Sequence, residues 1–147
     1  FGHTDTINKD KYTTRYRCKI WEDNFKYIEN ISFWKSVHNI FTSKKLTRTI
    51  FNKFKIDINP SDILPMPIIY MDFDGYYISP HPDAKTKVVT SQYYLTKNNN
   101  NINAGTEFYS DSSGTMLKKL KFQPNSGYAF RRDANSWHGV SPCNIKG

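Results

Sequence analysis

The sequence predicts an α+β chain, mainly β, in which helices come first and short strands follow. Three observations lead there. Apolar residues recur at helical spacing as far as Phe54; from Ile68 the chain breaks into short runs rich in Val, Ile, Thr, Tyr and Phe; and turn residues separate those runs too closely for crossover helices. Residues 1–147 read as one domain, with a mostly helical support region over 1–60 and a β core over 68–147.

The first twenty residues are polar, and Tyr12, Tyr16 and Ile20 form either a helical stripe or part of an irregular arm. Trp21, Phe25 and Ile28 then fall at i, i+4 and i+7, and Phe33, Trp34, Val37, Ile40 and Phe41 extend a similar face beyond Ser32. Ser43 suits the N-cap of a further helix whose apolar positions are Leu46, Ile50, Phe51 and Phe54. Asn59-Pro60-Ser61-Asp62 and Pro65-Met66-Pro67 stop helix formation, because proline lacks the backbone donor and its ring clashes with the preceding turn.

Ile68–Phe73 reads as a strand, Asp74-Gly75 as a two-residue hairpin turn, and Tyr76–Ser79 as the returning strand. Lys87–Leu95 is a strand rich in Val, Thr and Tyr, and the Asn-rich run from Asn98 to Asn101 is an exposed loop. Thr106–Tyr109, Met116–Phe122, Tyr128–Phe130 and Trp137–Val140 supply four more strands, with turns at Gly114 and Asn125-Ser126-Gly127. Strands this short and this closely spaced form an antiparallel sandwich or jelly roll rather than a parallel sheet.

Aromatic residues make up 16% of the chain, ample material for a core and for pocket walls. No apolar run reaches the roughly 20 residues that span a bilayer, so no membrane association is expected and the cytoplasm is the expected compartment. Cys18 and Cys143 are the only cysteines and read as buried free thiols, which fits that compartment. A net charge of +8 permits a nucleic-acid partner without favouring one. The cations are dispersed apart from Lys44-Lys45 and Lys118-Lys119-Leu120-Lys121, as on a solvated basic surface.

The chemistry is concentrated in His81-Pro82-Asp83 and in His138. In an extended segment the i, i+2 spacing puts His81 and Asp83 on one face, and Pro82 restrains His81 to extended conformations. The pair follows the Tyr76–Ser79 strand, and His138 lies on a distant strand that a neighbouring register would bring alongside. Two imidazoles and one carboxylate suit the facial triad that binds iron(II) and leaves positions open for oxygen and a co-substrate.

From Gly75 to Lys146 the chain resembles the iron(II)- and 2-oxoglutarate-dependent oxygenases, nearest their prolyl-4-hydroxylase-like branch. The stations match in order: Gly75–Asp83 as the strand into the HxD motif, Val88–Leu95 as the next strand, and Ala104-Gly105-Thr106-Glu107-Phe108 as the glycine-led strand. Pro124–Phe130 then precedes the distal histidine in Ser136–Pro142. The resemblance implies a double-stranded β-helix, or jelly roll, with helices packed against it and iron held by His81, Asp83 and His138. It implies a dioxygenase that hydroxylates a C–H bond of a peptide or small molecule through a ferryl oxidant, consuming molecular oxygen and 2-oxoglutarate. Tyr94 matches the phenol that meets the co-substrate's far carboxylate, and strand alternation turns Gln92 and Thr90 inward with it while Tyr93 and Leu95 face out. Lys146 is the basic residue available after His138 to pair with that carboxylate; the sequence stops at Gly147, where the resemblance places the start of a last strand.

Two other readings fit the same residues. One is a cupin-like iron oxygenase that keeps the triad but uses no 2-oxo acid; the other is a basic β-sandwich binding module without catalysis. Arg131, Arg132 and Asp133 read as a solvated charged turn sooner than as a substrate-side border of the barrel mouth, Trp137 as a core residue sooner than a substrate platform, and the loop at Asn98–Asn103 as lid or plain connection.

Overall fold

The computed structural model describes residues 3–4, 15–20, 29–97 and 103–144. The chain divides into two compact units, one of Phe1–Thr4 with Tyr16–Met71 and the other of Asp5–Arg15 with Asp72–Gly147. The described residues are mainly β, in antiparallel sheets, with two helices. None of those helices is long and apolar enough to cross a membrane.

In the first unit α1 (Ile31–Phe41) and α2 (Lys44–Phe54) follow one another across Thr42 and Ser43. Ser43 caps α2 as its sequence position predicts, its hydroxyl accepting the Leu46 N–H at 3.2 Å. Lys55 ends the helix in the left-handed region at φ 52°. Phe51 and Thr47 of α2 are buried, whereas α1 buries none of its residues. Pro60–Asp62 forms a single 3-10 turn after the break at Asn59. A three-stranded sheet runs in the order β1 (His3–Thr4), β2 (Arg15–Lys19), β3 (Ile68–Asp72). Tyr16 thus lies in a strand, not in a helical stripe or an irregular arm. Pairing with neighbours supplies an order that local periodicity lacks. The predicted helical turn through Trp21, Phe25 and Ile28 lies outside the described residues, as does the loop Asn98–Asn101.

The second unit holds β4 (Ile78–His81), β5 (Val89–Tyr94), β6 (Glu107–Tyr109), β7 (Met116–Lys119), β8 (Ser126–Arg131) and β9 (His138–Val140). One sheet has the order β4-β9-β6-β7, and β5 pairs with β8 in another. Every strand pair in these sheets is antiparallel. Phe108 of β6 meets Tyr128 and Phe130 of β8 edge to face, with ring centroids 5.7 Å apart in both cases, so the two sheets share an aromatic core.

Asp74-Gly75 does not close a hairpin, because β3 and β4 belong to different sheets. The turn itself is present, with Gly75 at φ 76° and the Tyr76 N–H on the Phe73 carbonyl at 3.0 Å. The segment after β9 takes the backbone groups a hairpin would have used: Gly75 N–H donates to the Cys143 carbonyl at 2.7 Å, and Cys143 N–H to Tyr76 at 2.9 Å.

Two local features set the β4–β9 pairing. Its register shifts between Ile78↔Val140 and His81↔His138, so β4 carries one residue more than its partner, a bulge that includes Pro80. Gly139 lies where a Cβ would come within 2.6 Å of the Ile78 carbonyl oxygen, which restricts this position to glycine.

Glu107, at the head of β6, is 2% exposed and fully engaged. Lys119 of β7 donates to Oε1 at 2.7 Å; Tyr109 at 2.5 Å, the Ser141 N–H at 2.9 Å and the Ser141 hydroxyl at 2.8 Å all donate to Oε2. Burial pushes its carboxyl up, but the hydrogen bonds from Lys119, Tyr109 and Ser141 outweigh burial and hold it below the usual range. Lys119, predicted as part of a solvated basic cluster, is therefore a structural partner that ties β7 to β6.

Candidate metal centre

His81 ends β4 and His138 begins β9, and the register sets them directly opposite each other. Their rings lie 4.6 Å apart at 44°. Asp83 follows in the loop after β4 and is 5% exposed. The ligand atoms of His81, Asp83 and His138 all lie within 4.8 Å of one another. The triad predicted from sequence therefore converges in space.

The hydrogen bonds of the two rings decide which nitrogens are available. His81 Nδ1 is 2.8 Å from the Ser79 carbonyl oxygen, and His138 Nδ1 is 2.9 Å from that of Ser136. A carbonyl oxygen only accepts, so each Nδ1 carries a proton, and in the neutral ring it is Nε2 that keeps the lone pair. Both rings are thus fixed in the tautomer and orientation of a metal ligand, in the same way. Burial lowers the His81 pKa, with the neighbouring His138 adding to it, and this favours the neutral form a metal needs.

Asp83 is held from both carboxylate oxygens. Lys87 donates its ammonium to Oδ1, and Thr90 of β5 donates its hydroxyl to Oδ2 at 2.5 Å. Burial pushes the Asp83 carboxyl up, yet these two bonds prevail and keep it below its ordinary value. A carboxylate has about four lone-pair directions, so each oxygen retains one after these contacts. Two imidazoles that can each offer Nε2 and an ionised carboxylate with free lone pairs make a donor set that a divalent transition metal fits.

The face of β5 behind Asp83 carries a row of polar groups: Thr90, Gln92 and Tyr94, with Tyr94 buried and Tyr93 and Leu95 exposed as alternation predicts. Tyr94 accepts the Thr106 N–H and donates to its Oγ1, both at 3.0 Å. Thr106 Oγ1 meets the Tyr128 hydroxyl at 2.8 Å, and Tyr128 donates to Gln92 Oε1 at 2.7 Å. Burial raises the Tyr128 phenol well above its usual range, so it remains protonated. Apolar rings border the metal ligands, with Phe130 at 4.8 Å and Phe108 at 6.5 Å from His138. Lys146, the predicted cation for a far carboxylate, lies outside the described residues.

Sequence reasoning missed the two groups that hold the Asp83 carboxylate. Thr90 was legible as an inward residue but not as a partner of Asp83. Lys87 had been read only as the start of a strand. The i, i+4 spacing of Lys87 from Asp83 was the available signal, but it is diagnostic only on a helix. No family model matches the chain, and neither a curated protein nor a solved structure matches it significantly.

Proposed function

We propose that the second unit is a jelly-roll oxygenase core that holds iron(II) through His81, Asp83 and His138. With molecular oxygen and 2-oxoglutarate it would hydroxylate a C–H bond of a peptide or small molecule. The observation that carries this reading is the convergence of two pre-oriented imidazoles and one ionised carboxylate, far apart in sequence, within 4.8 Å. The two facing antiparallel sheets and the position of the ligands at strand ends support a double-stranded β-helix.

Bound there, the metal supplies oxygen activation and a docking point for the 2-oxo acid. The remaining work falls to the chain. Ser79 and Ser136 carbonyls keep both Nε2 atoms aimed inward, and Thr90 and Lys87 stop the Asp83 carboxylate from rotating. Phe108 and Phe130 limit water near the ligands. Gln92 has its oxygen committed to Tyr128, so toward a ligand it offers only N–H groups, which suits a carboxylate. Tyr94 joins it by turning its O–H from Thr106 to the co-substrate, and Lys146 is the cation assigned to the same carboxylate.

Anaerobic calorimetry with iron(II), followed by 2-oxoglutarate, tests the reading. The wild-type chain is expected to take up iron and to bind 2-oxoglutarate only when loaded; His81→Ala and Asp83→Ala are expected to lose both. Unchanged metal uptake in the two variants refutes the site. Iron uptake with no affinity for 2-oxoglutarate would instead favour an iron oxygenase of the cupin-like kind, which the engaged Tyr94 hydroxyl also suits.

A further inference from the structure

Arg132, in the charged segment before His138, is not a solvated side chain like its exposed neighbours Arg131 and Asp133. Arg132 is half-buried, its backbone N–H donates to the Val88 carbonyl at 2.9 Å, and its Nε donates to the Asp83 carbonyl at 3.2 Å. Arg131, its neighbour on β8, is exposed. One edge of the Arg132 guanidinium is therefore spent on the backbone of a metal ligand. Its two terminal nitrogens have no acceptor among the described residues.

A planar fork anchored at Nε and open at both terminal nitrogens is a pre-ordered acceptor site for an oxyanion. Anchoring matters because a free arginine loses rotamer entropy on binding, whereas this one has already lost it. The surroundings have the matching charge. Lys85 and Lys87 lie on the loop after Asp83, and Arg131 lies beside Arg132. Of the two neighbouring carboxylates, Asp83 is held by Lys87 and Thr90, while Asp133 accepts the Asn135 N–H at 2.9 Å within its own turn. Lys87 is half-exposed, with its ammonium on Asp83. The carboxylate it holds is the one assigned to the metal.

We infer that Arg132 binds an anionic group of the substrate, a carboxylate or a phosphate, and so orients that substrate beside the triad. The inference rests on the metal reading for its place next to the reacting centre; the anion site itself stands on the Arg132 geometry. It narrows the substrate class from any peptide or small molecule to an acidic one.

The test titrates the full ¹⁵N-labelled chain with inorganic phosphate and, in a separate arm, with N-acetylaspartate, with and without zinc. It follows the backbone N–H resonances of residues 131–138 in every variant and the Arg132 Nε–H resonance in the wild type. A saturable shift with either anion is expected, and the responding arm tells phosphate from carboxylate. Binding should weaken about tenfold in Arg132→Gln and by less in Arg132→Lys, which keeps the charge without the fork. Arg131→Gln should stay close to wild type. Equal weakening in Arg131→Gln would reduce the site to a diffuse basic surface, and no saturable shift in either arm would remove it. A parallel titration of the zinc-loaded chain with 2-oxoglutarate should be indifferent to Arg132→Gln; a loss there would reassign Arg132 to the co-substrate and overturn the inference. A chain that takes up no metal refutes the oxygenase reading, while the zinc-free arms still decide the anion site.

Discussion

Glu107 and Asp83 are both buried carboxylates of the second unit, and each has a lysine on one oxygen and a hydroxyl on the other. They differ in what is left over. Glu107 receives four donors and joins β6 to β7 and to the segment after β9. Asp83 receives two side-chain donors and faces two imidazole nitrogens whose lone pairs are also unspent. A buried charge whose valences are filled by the protein is a fastening. One that keeps lone pairs beside others of its kind is a site, because an arriving cation finds acceptors that the protein has left unspent.

The sharpest way to break the contrast is to remove the fastening. Glu107→Gln leaves the Lys119 ammonium and two hydroxyl donors without a charged acceptor, and should cost about 3 kcal/mol of stability by chemical denaturation. At a temperature where this variant remains folded, its metal affinity should match the wild type. If metal uptake fell in step with stability, the two carboxylates would not be separable in role.

Thr90→Val tests the other side. It removes the donor to Asp83 Oδ2 at nearly constant shape, and should cost about 1 kcal/mol of stability while lowering cobalt(II) or iron(II) affinity about tenfold. An affinity equal to wild type would mean that Asp83 needs no help to hold its orientation.

The smallest effect is the dependence of the metal-free protein on mild acid. His81 has a pKa below 6.5 in the folded state, so below pH 6.5 the unfolded chain binds protons more readily and folding weakens as pH falls. Glu107 has the same sign, but its stabilisation is complete above 4.5 and fades only as pH falls below that value. Denaturation midpoints between pH 8 and pH 5 should therefore decline in the wild type and stay flatter in His81→Ala. Equal slopes would remove His81 as the source.

The same contrast explains how much was legible in the sequence. The triad could be read because its logic is local in part: His81 and Asp83 share a face by spacing, and His138 lies in its own apolar strand. The inward set of Thr90, Gln92 and Tyr94 followed from alternation alone. Glu107 was visible only as one residue of a glycine-led strand, since its partners Tyr109, Lys119 and Ser141 become neighbours through strand pairing. Arg132 was misjudged for a related reason. Its nearest acceptor is a backbone carbonyl in a distant loop, and backbone carbonyls leave no mark in a sequence. Asp74-Gly75 carried the right turn chemistry, but turn chemistry does not say which strand comes alongside.

The bulge between Ile78 and His81 has a consequence of its own. From the Ile78↔Val140 pair to the His81↔His138 pair, β4 advances three residues and β9 only two. Side chains on a strand alternate between faces, so parity decides whether His81 meets His138 or turns its back on it. The extra residue makes the count odd on one strand and even on the other. Strict alternation would therefore put the two imidazoles on opposite faces, and the bulge resets the phase so that they share one. In this protein one residue of slack sets the phase of the candidate metal centre.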